Sequence, residues 1–175
     1  SRGLGDVYKR QVKLTNAYVS YPVCGPSRAG FMTGRYAQRF GFERNPQYDP
    51  TDPNMGLPQE EMTLAESLEQ VGYHSGIIGK WHLGMDWVVK PDASAERDKN
   101  GDPLENQVDF TKPIKNGPLS VGFDTYFGHS ASLDMPPYVY IRDNELTVIP
   151  TTQAPKSEFG RAGFKEEGLM PEDVL

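Results

Sequence analysis

A chain of 175 residues suits one domain of ordinary size and leaves little room for two. Its 18 Lys and Arg against 24 Asp and Glu give a net charge of −6, which argues against a nucleic-acid or anionic-membrane partner. No apolar run is long enough to cross a bilayer, and the single cysteine, Cys24, excludes an intrachain disulfide or a two-cysteine metal knuckle. With 18 Gly, 15 Pro and 37 % apolar residues, the composition predicts a loop-rich chain with a thin core, as a piece of something larger would have.

In chain order, residues 1–11 (SRGLGDVYKRQ) show neither strand alternation nor a helical face, and they lack the apolar stretch of a secretory signal. They are similar to a translated sequencing-adapter tail. The expected domain therefore runs over 12–175, with 1–11 non-native. Val12–Ser20 alternates as a strand does. Pro26 suits a first helical position, and Ser27–Thr33 then predicts a short helix ending at Gly34. Residues 41–61, with Pro46, Pro50, Pro53 and Pro58, predict loop. Thr63-Leu64-Ala65-Glu66 is a capping box, opening a helix with Leu64, Leu68 and Val71 on one side and Gly72 at its end.

Tyr73–Ile78 reads as a buried strand, and a helix followed closely by a strand favours an α/β sheet. The polar stretch Lys90–Gly117 predicts a surface excursion. Phe123–Phe127 is a short strand, and Tyr138–Arg142 with Leu146–Ile149 predicts a β-hairpin. Residues 157–175 are polar and end without a cap, so both ends are expected to be cut.

Chemistry concentrates in Cys24-Gly25-Pro26-Ser27-Arg28, continuing to Thr33-Gly34-Arg35. One reading is a small buried thiol beside a helix start. The other is an anion-binding nucleophile: a thiol at a helix N-terminus, with Arg28 one helical turn along and a second guanidinium on Arg35. Lys80 and His82 are two apart, so in an extended segment both side chains leave one face. A fixed cation beside a titratable imidazole suits binding and protonating an oxyanion, although K-W-H alone is more often a solvated strand end. Gly79-Lys80 is not a phosphate loop, because His74 and Trp81 stand where that motif needs Gly and Ser or Thr.

Cys24 to Arg35, CGPSRAGFMTGR, resembles the type I sulfatase signature C-x-P-S-R-x-x-x-x-T-G-R. Gly72 to His82 is similar to that family's G-Y-x-T-x-x-x-G-K-x-H, departing only at Ser75. The resemblance implies the amino-terminal part of an alkaline-phosphatase-like α/β domain, with a mixed, mostly parallel sheet flanked by helices. It also implies that a formylglycine-generating maturation enzyme oxidises Cys24 to an aldehyde, which hydrates to a gem-diol. One hydroxyl attacks sulfur and expels the substrate alcohol, and deprotonating the other collapses the sulfated hemiacetal, ejects sulfate and restores the aldehyde. Carried over, Arg28 stabilises the diol, Lys80 binds sulfate oxygens and His82 serves as base. Pro26, Ser27, Thr33, Gly34 and Arg35 belong to the maturation signal and the turn.

The family's Ca2+ would take the formylglycine of Cys24 as one ligand. The paired aspartates expected upstream are not in this sequence, where only Asp6 stands, and the downstream ligands are expected beyond Leu175. The expected substrate is a sulfated small molecule or glycan, and family members are commonly periplasmic or secreted. Residues 122–138 are similar to a stretch of bacterial carbohydrate sulfatases, which makes His129 and Asp134 candidates for reading sugar hydroxyls, against a plain strand and Pro-stiffened loop. Competing readings are a phosphonate or phosphate monoester hydrolase with the same nucleophile, a non-catalytic fragment without its metal, and a thiol enzyme or redox sensor using unmodified Cys24.

Overall fold

The computed structural model describes residues 11–46, 56–92, 105–132, 135–155 and 162–168. Extended Val23 leads into helix α1 (Cys24–Thr33), which Gly34 ends in the left-handed conformation. The helix begins two residues earlier than Pro26 suggested, so Cys24 is its first residue. Pro26 still lies in the opening turn, where its missing N–H costs no helical bond. Helix α2 (Leu64–Glu69) has the capping box in full: Thr63 Oγ1 accepts from the Glu66 amide at 3.2 Å, and the Glu66 carboxylate accepts from the Thr63 amide at 2.7 Å. The expected apolar side of α2 is not its buried one. Ala65 is buried, whereas Leu64 and Val71 are exposed.

The main sheet has four strands in the order β1 (Gly76–Lys80), β2 (Thr125–His129), β3 (Ile141–Arg142) and β4 (Glu145–Leu146). β1 and β2 run parallel, Gly76 opposite Thr125 through Lys80 opposite His129, and the other two pairings are antiparallel. The sheet is therefore mixed, as expected, but among the described residues one of its pairings is parallel and two are antiparallel, because β3 and β4 form a hairpin laid against β2 where a mostly parallel sheet was expected. β5 (Thr152–Ala154) and β6 (Gly163–Lys165) form a separate antiparallel pair. Asp143 and Asn144 make the two-residue turn between β3 and β4, with Asp143 at φ 57° and its carboxylate accepting from the Tyr126 amide at 2.9 Å. Outside β1, the Asp124 carboxylate accepts from the Ser75 amide at 2.6 Å and faces His74 Nδ1 at 3.2 Å. Those bonds, the Ser75 amide first, hold Asp124 below the usual carboxylate range.

One sheet face carries Tyr126 and Ile141 into a core with Trp81, Leu83, Trp87, Val108, Ile114 and Val121. Trp81 meets Phe123 edge-on at 6.4 Å and donates from its indole to the Gly84 carbonyl at 2.6 Å. The opposite face leaves Ile78 85 % exposed, so the strand expected to be buried is half-buried and is an end strand of the described sheet. Residues 12–20 form no strand. Val12, Leu14, Tyr18 and Val19 are exposed, because alternation makes a strand only where a neighbour pairs with it. The expected surface excursion returns to the core: Val108 and Ile114 are buried, and bridges join Val89 to Val108 and Asp86 to Lys115.

Candidate active site

β1 and β2 end side by side, and their chains stay tied beyond the sheet. The Trp81 amide donates to the His129 carbonyl at 3.1 Å, and the His82 amide to the Ser130 carbonyl at 2.8 Å. The carboxyl ends of parallel strands are where α/β sheets present side chains to ligands. Helix α1 is brought to this end by Arg28, whose Nε donates to the Trp81 carbonyl at 2.8 Å while a terminal nitrogen donates to the Lys80 carbonyl. The fork thus clamps two successive carbonyls of a segment 52 and 53 residues away. Burial draws the Arg28 pKa below its ordinary value, and the nearby Tyr126 and Cys24 partly offset this.

The first turn of α1 lies against the same segment. An added Cβ on Gly25 would meet Asn45 Oδ1 at 2.9 Å and the His82 carbonyl oxygen at 3.2 Å, so only a glycine fits without a shift. Asn45 Oδ1 accepts from the Gly25 amide at 2.7 Å. Cys24 is exposed, so the reading of it as a buried thiol falls. Val23 offers no side-chain cap, which leaves the positive end of the helix dipole beside Cys24.

Lys80 and His82 reach the site by a route the sequence did not predict. His82 sits at φ 55°, in the left-handed region, and is 1 % exposed. The segment is therefore not extended through residue 82, and the two side chains do not leave one strand face. A buried non-glycine residue held there costs about 1–3 kcal/mol, a strain that clusters at functional sites. Lys80 is partly exposed and its ammonium donates to Ser132 Oγ. Sequence reasoning missed Ser132, which belongs to no motif and meets Lys80 only through the β1–β2 pairing. Arg35 is elsewhere: it pairs with Glu61 at 2.6 Å and covers the Phe40 ring at 5.7 Å, fastening the end of α1 to the segment before α2.

The structure brings together Cys24, Arg28, Lys80, His82 and His129 at the ends of β1 and β2. Asp134 lies outside the described residues. His129 is nearly buried, and its Nδ1 lies 2.5 Å from the Ala131 carbonyl oxygen. A carbonyl only accepts, so Nδ1 carries the proton. Burial lowers the His129 pKa from 6.5; the Ala131 bond opposes this, and the Lys80 and Arg28 cations add to the lowering. A histidine favoured as neutral in the fold contributes stability that is complete above its unfolded value and lost as pH falls through the lower folded one. Between pH 7 and 5 the full-length protein is thus expected to lose stability more steeply than its His129→Asn variant. Denaturant midpoints across that range check this, and equal slopes would refute it.

Among the described residues, no three His, Cys, Asp or Glu side chains are grouped to hold a metal ion. The donor set around Cys24 is cationic and amide in character, and it does not fit a calcium site by itself. No described helix is long and apolar enough to cross a membrane.

Comparison with known proteins adds a second line of evidence. A family model described as Sulfatase matches residues 4–157. Human steryl-sulfatase is 46 % identical over 84 residues, covering 46 % of this chain and 14 % of that protein. Human arylsulfatase D is 35 % identical over 120 residues, covering 67 % and 17 %. An uncharacterised sulfatase of Escherichia coli is 37 % identical over 122 residues, covering 69 % and 20 %. The chain spans 14–20 % of the length of these curated relatives. A solved structure, titled for the metabolism of multiple glycosaminoglycans by Bacteroides thetaiotaomicron, superimposes with a TM-score of 0.51 at 29 % identity. It covers 76 % of this chain and 24 % of that one.

Proposed function

This chain belongs to the sulfatase family, and on that footing we propose that it supplies the nucleophile side of a sulfuric ester hydrolase acting on a sulfated glycan. The observation that carries the reading is convergence. Exposed Cys24 opens a helix without a side-chain cap, and the first turns of that helix lie against the segment at the end of β1 through Gly25 and the Arg28 fork, the same segment that carries Lys80 and His82. Support for a glycan substrate comes from the glycosaminoglycan title of the similar solved structure.

Once a formylglycine-generating enzyme has oxidised it and water has added, Cys24 would offer one hydroxyl to attack sulfur and expel the substrate alcohol, and a second whose deprotonation restores the aldehyde and releases sulfate. The chain's own residues do the rest. Arg28 fixes the α1 start against β1 and keeps a permanent positive charge near Cys24. Lys80 places an ammonium for the sulfate oxygens, steadied by Ser132. His82, its backbone against Gly25, provides the imidazole to take the second hydroxyl's proton. Calcium is the metal the family implies. Among the described residues no carboxylate cluster that could hold it is present.

Mass spectrometry of the tryptic peptide spanning Cys24, taken from active full-length protein, is expected to show the aldehyde. Aryl sulfate is expected to turn over faster than aryl phosphonate. A free, alkylatable thiol in fully active protein, or faster phosphonate turnover, would overturn the proposal.

A further inference from the structure

We propose that His129 is a positioning residue for Lys80: its Nδ1–H, given to the Ala131 carbonyl, sets the turn that presents Ser132 Oγ to the Lys80 ammonium. The role assigned to Lys80 rests on the function proposed above; the clamp itself rests on geometry alone.

Three placements carry it. His129 and Ser130 are pinned to the neighbouring chain by their own carbonyls, which accept from the Trp81 and His82 amides, and the Tyr126 hydroxyl adds a 2.8 Å bond to the His129 carbonyl. Beyond Ser130 the chain turns away from β1, and the next described hydrogen bond on it is the imidazole's, on Ala131, a residue that is itself buried. The residue after that is Ser132, and its hydroxyl accepts from Lys80. Fixing Ala131 therefore fixes where Ser132 points.

Lys80 needs such a fix. Its four-carbon stem ends in a compact charge that many rotamers would scatter, so holding it in one place costs side-chain entropy. His129 is the register partner of Lys80 in the parallel pair, so both side chains leave the same sheet face. A neutral imidazole can stand beside the ammonium without repelling it, and burial together with the Lys80 and Arg28 cations favours that state.

The test separates a clamp from a general structural role, because two amide side chains mimic different imidazole nitrogens. In the full-length enzyme, His129→Asn keeps an N–H near the Nδ1 position, whereas His129→Gln carries it out toward Nε2. His129→Asn is expected to stay within about threefold of the parent in KM for an aryl sulfate. His129→Gln and Ser132→Ala are expected to raise KM about tenfold, with kcat changed less. The double variant is expected to be no worse than the poorer single one.

A second readout needs no turnover. Acetylation of Lys80 by a small amine reagent, followed by peptide mass spectrometry, is expected to quicken several-fold in His129→Gln and not in His129→Asn. Equal losses in Asn and Gln, multiplying effects in the double variant, or unchanged Lys80 reactivity would overturn the inference. If the parent lacks sulfatase activity while Lys80 reactivity still follows residue 129 in this way, the proposed function fails and the clamp stands.

Discussion

Gly128→Ala is expected to cost about 3 kcal/mol or more of stability and to remove activity with it. The added methyl would lie 1.8 Å from the Gly79 carbonyl oxygen, 2.7 Å from its carbon and 2.9 Å from its nitrogen. All three are backbone atoms, so no side chain can swing aside, and the only relief is separation of β1 from β2. Gly79 and Gly128 are register partners, one residue before Lys80 and His129, so that separation would open the site as well as the sheet. Gly79 itself sits at φ +100° with open space around its absent side chain. Gly79→Ala should therefore cost only backbone strain, about 1–3 kcal/mol. Denaturant midpoints of the two variants, measured beside aryl sulfate turnover, check the order. A Gly128→Ala protein as stable as the parent would refute the β1–β2 pairing.

Arg28→Lys is expected to lower kcat/KM by about 10²–10³ while changing no net charge. The guanidinium serves the Trp81 and Lys80 carbonyls from two nitrogens held at a fixed angle. One ammonium on a flexible stem cannot reproduce that fork. Each buried carbonyl left without its donor costs about 1–3 kcal/mol, so a loss of stability accompanies the loss of rate. The contact of α1 with the end of β1 would loosen, and under the proposed function that displaces Cys24 from Lys80 and His82. Kinetics of Arg28→Lys at a temperature where circular dichroism shows it folded make the measurement. Turnover within threefold of the parent would mean that Arg28 anchors nothing the reaction needs.

What could be read from the sequence was mostly local. The Thr63–Glu66 cap was legible because both partners lie within one helical turn, and the hairpin about Asp143 and Asn144 because those residues tolerate turn angles, although Glu145 pairs as strand and both strands are shorter than expected. Cys24, Arg28, Lys80 and His82 were legible as types and spacings. Their arrangement was not legible, since it depends on Arg28 reading backbone carbonyls and on the turned backbone of His82. Ser132 was missed because its only distinction is a side-chain bond to Lys80, made from the turn that follows β2. The strand expected at Val12–Ser20 and the buried side of α2 were misjudged for one reason. Periodicity records which residues would be buried given a neighbour, and the described fold supplies none there.

Arg28 meets Trp81 across 53 residues and Lys80 meets Ser132 across 52, so the constellation is assembled from distant parts of the chain. On a ribosome adding about 5–20 residues per second, roughly a hundred residues separate the emergence of Cys24 from that of Ser132. For some 5–20 s the cysteine segment is thus a nascent peptide with its eventual neighbours still untranslated. Any enzyme that must grip those residues as open backbone has that interval in which to do so.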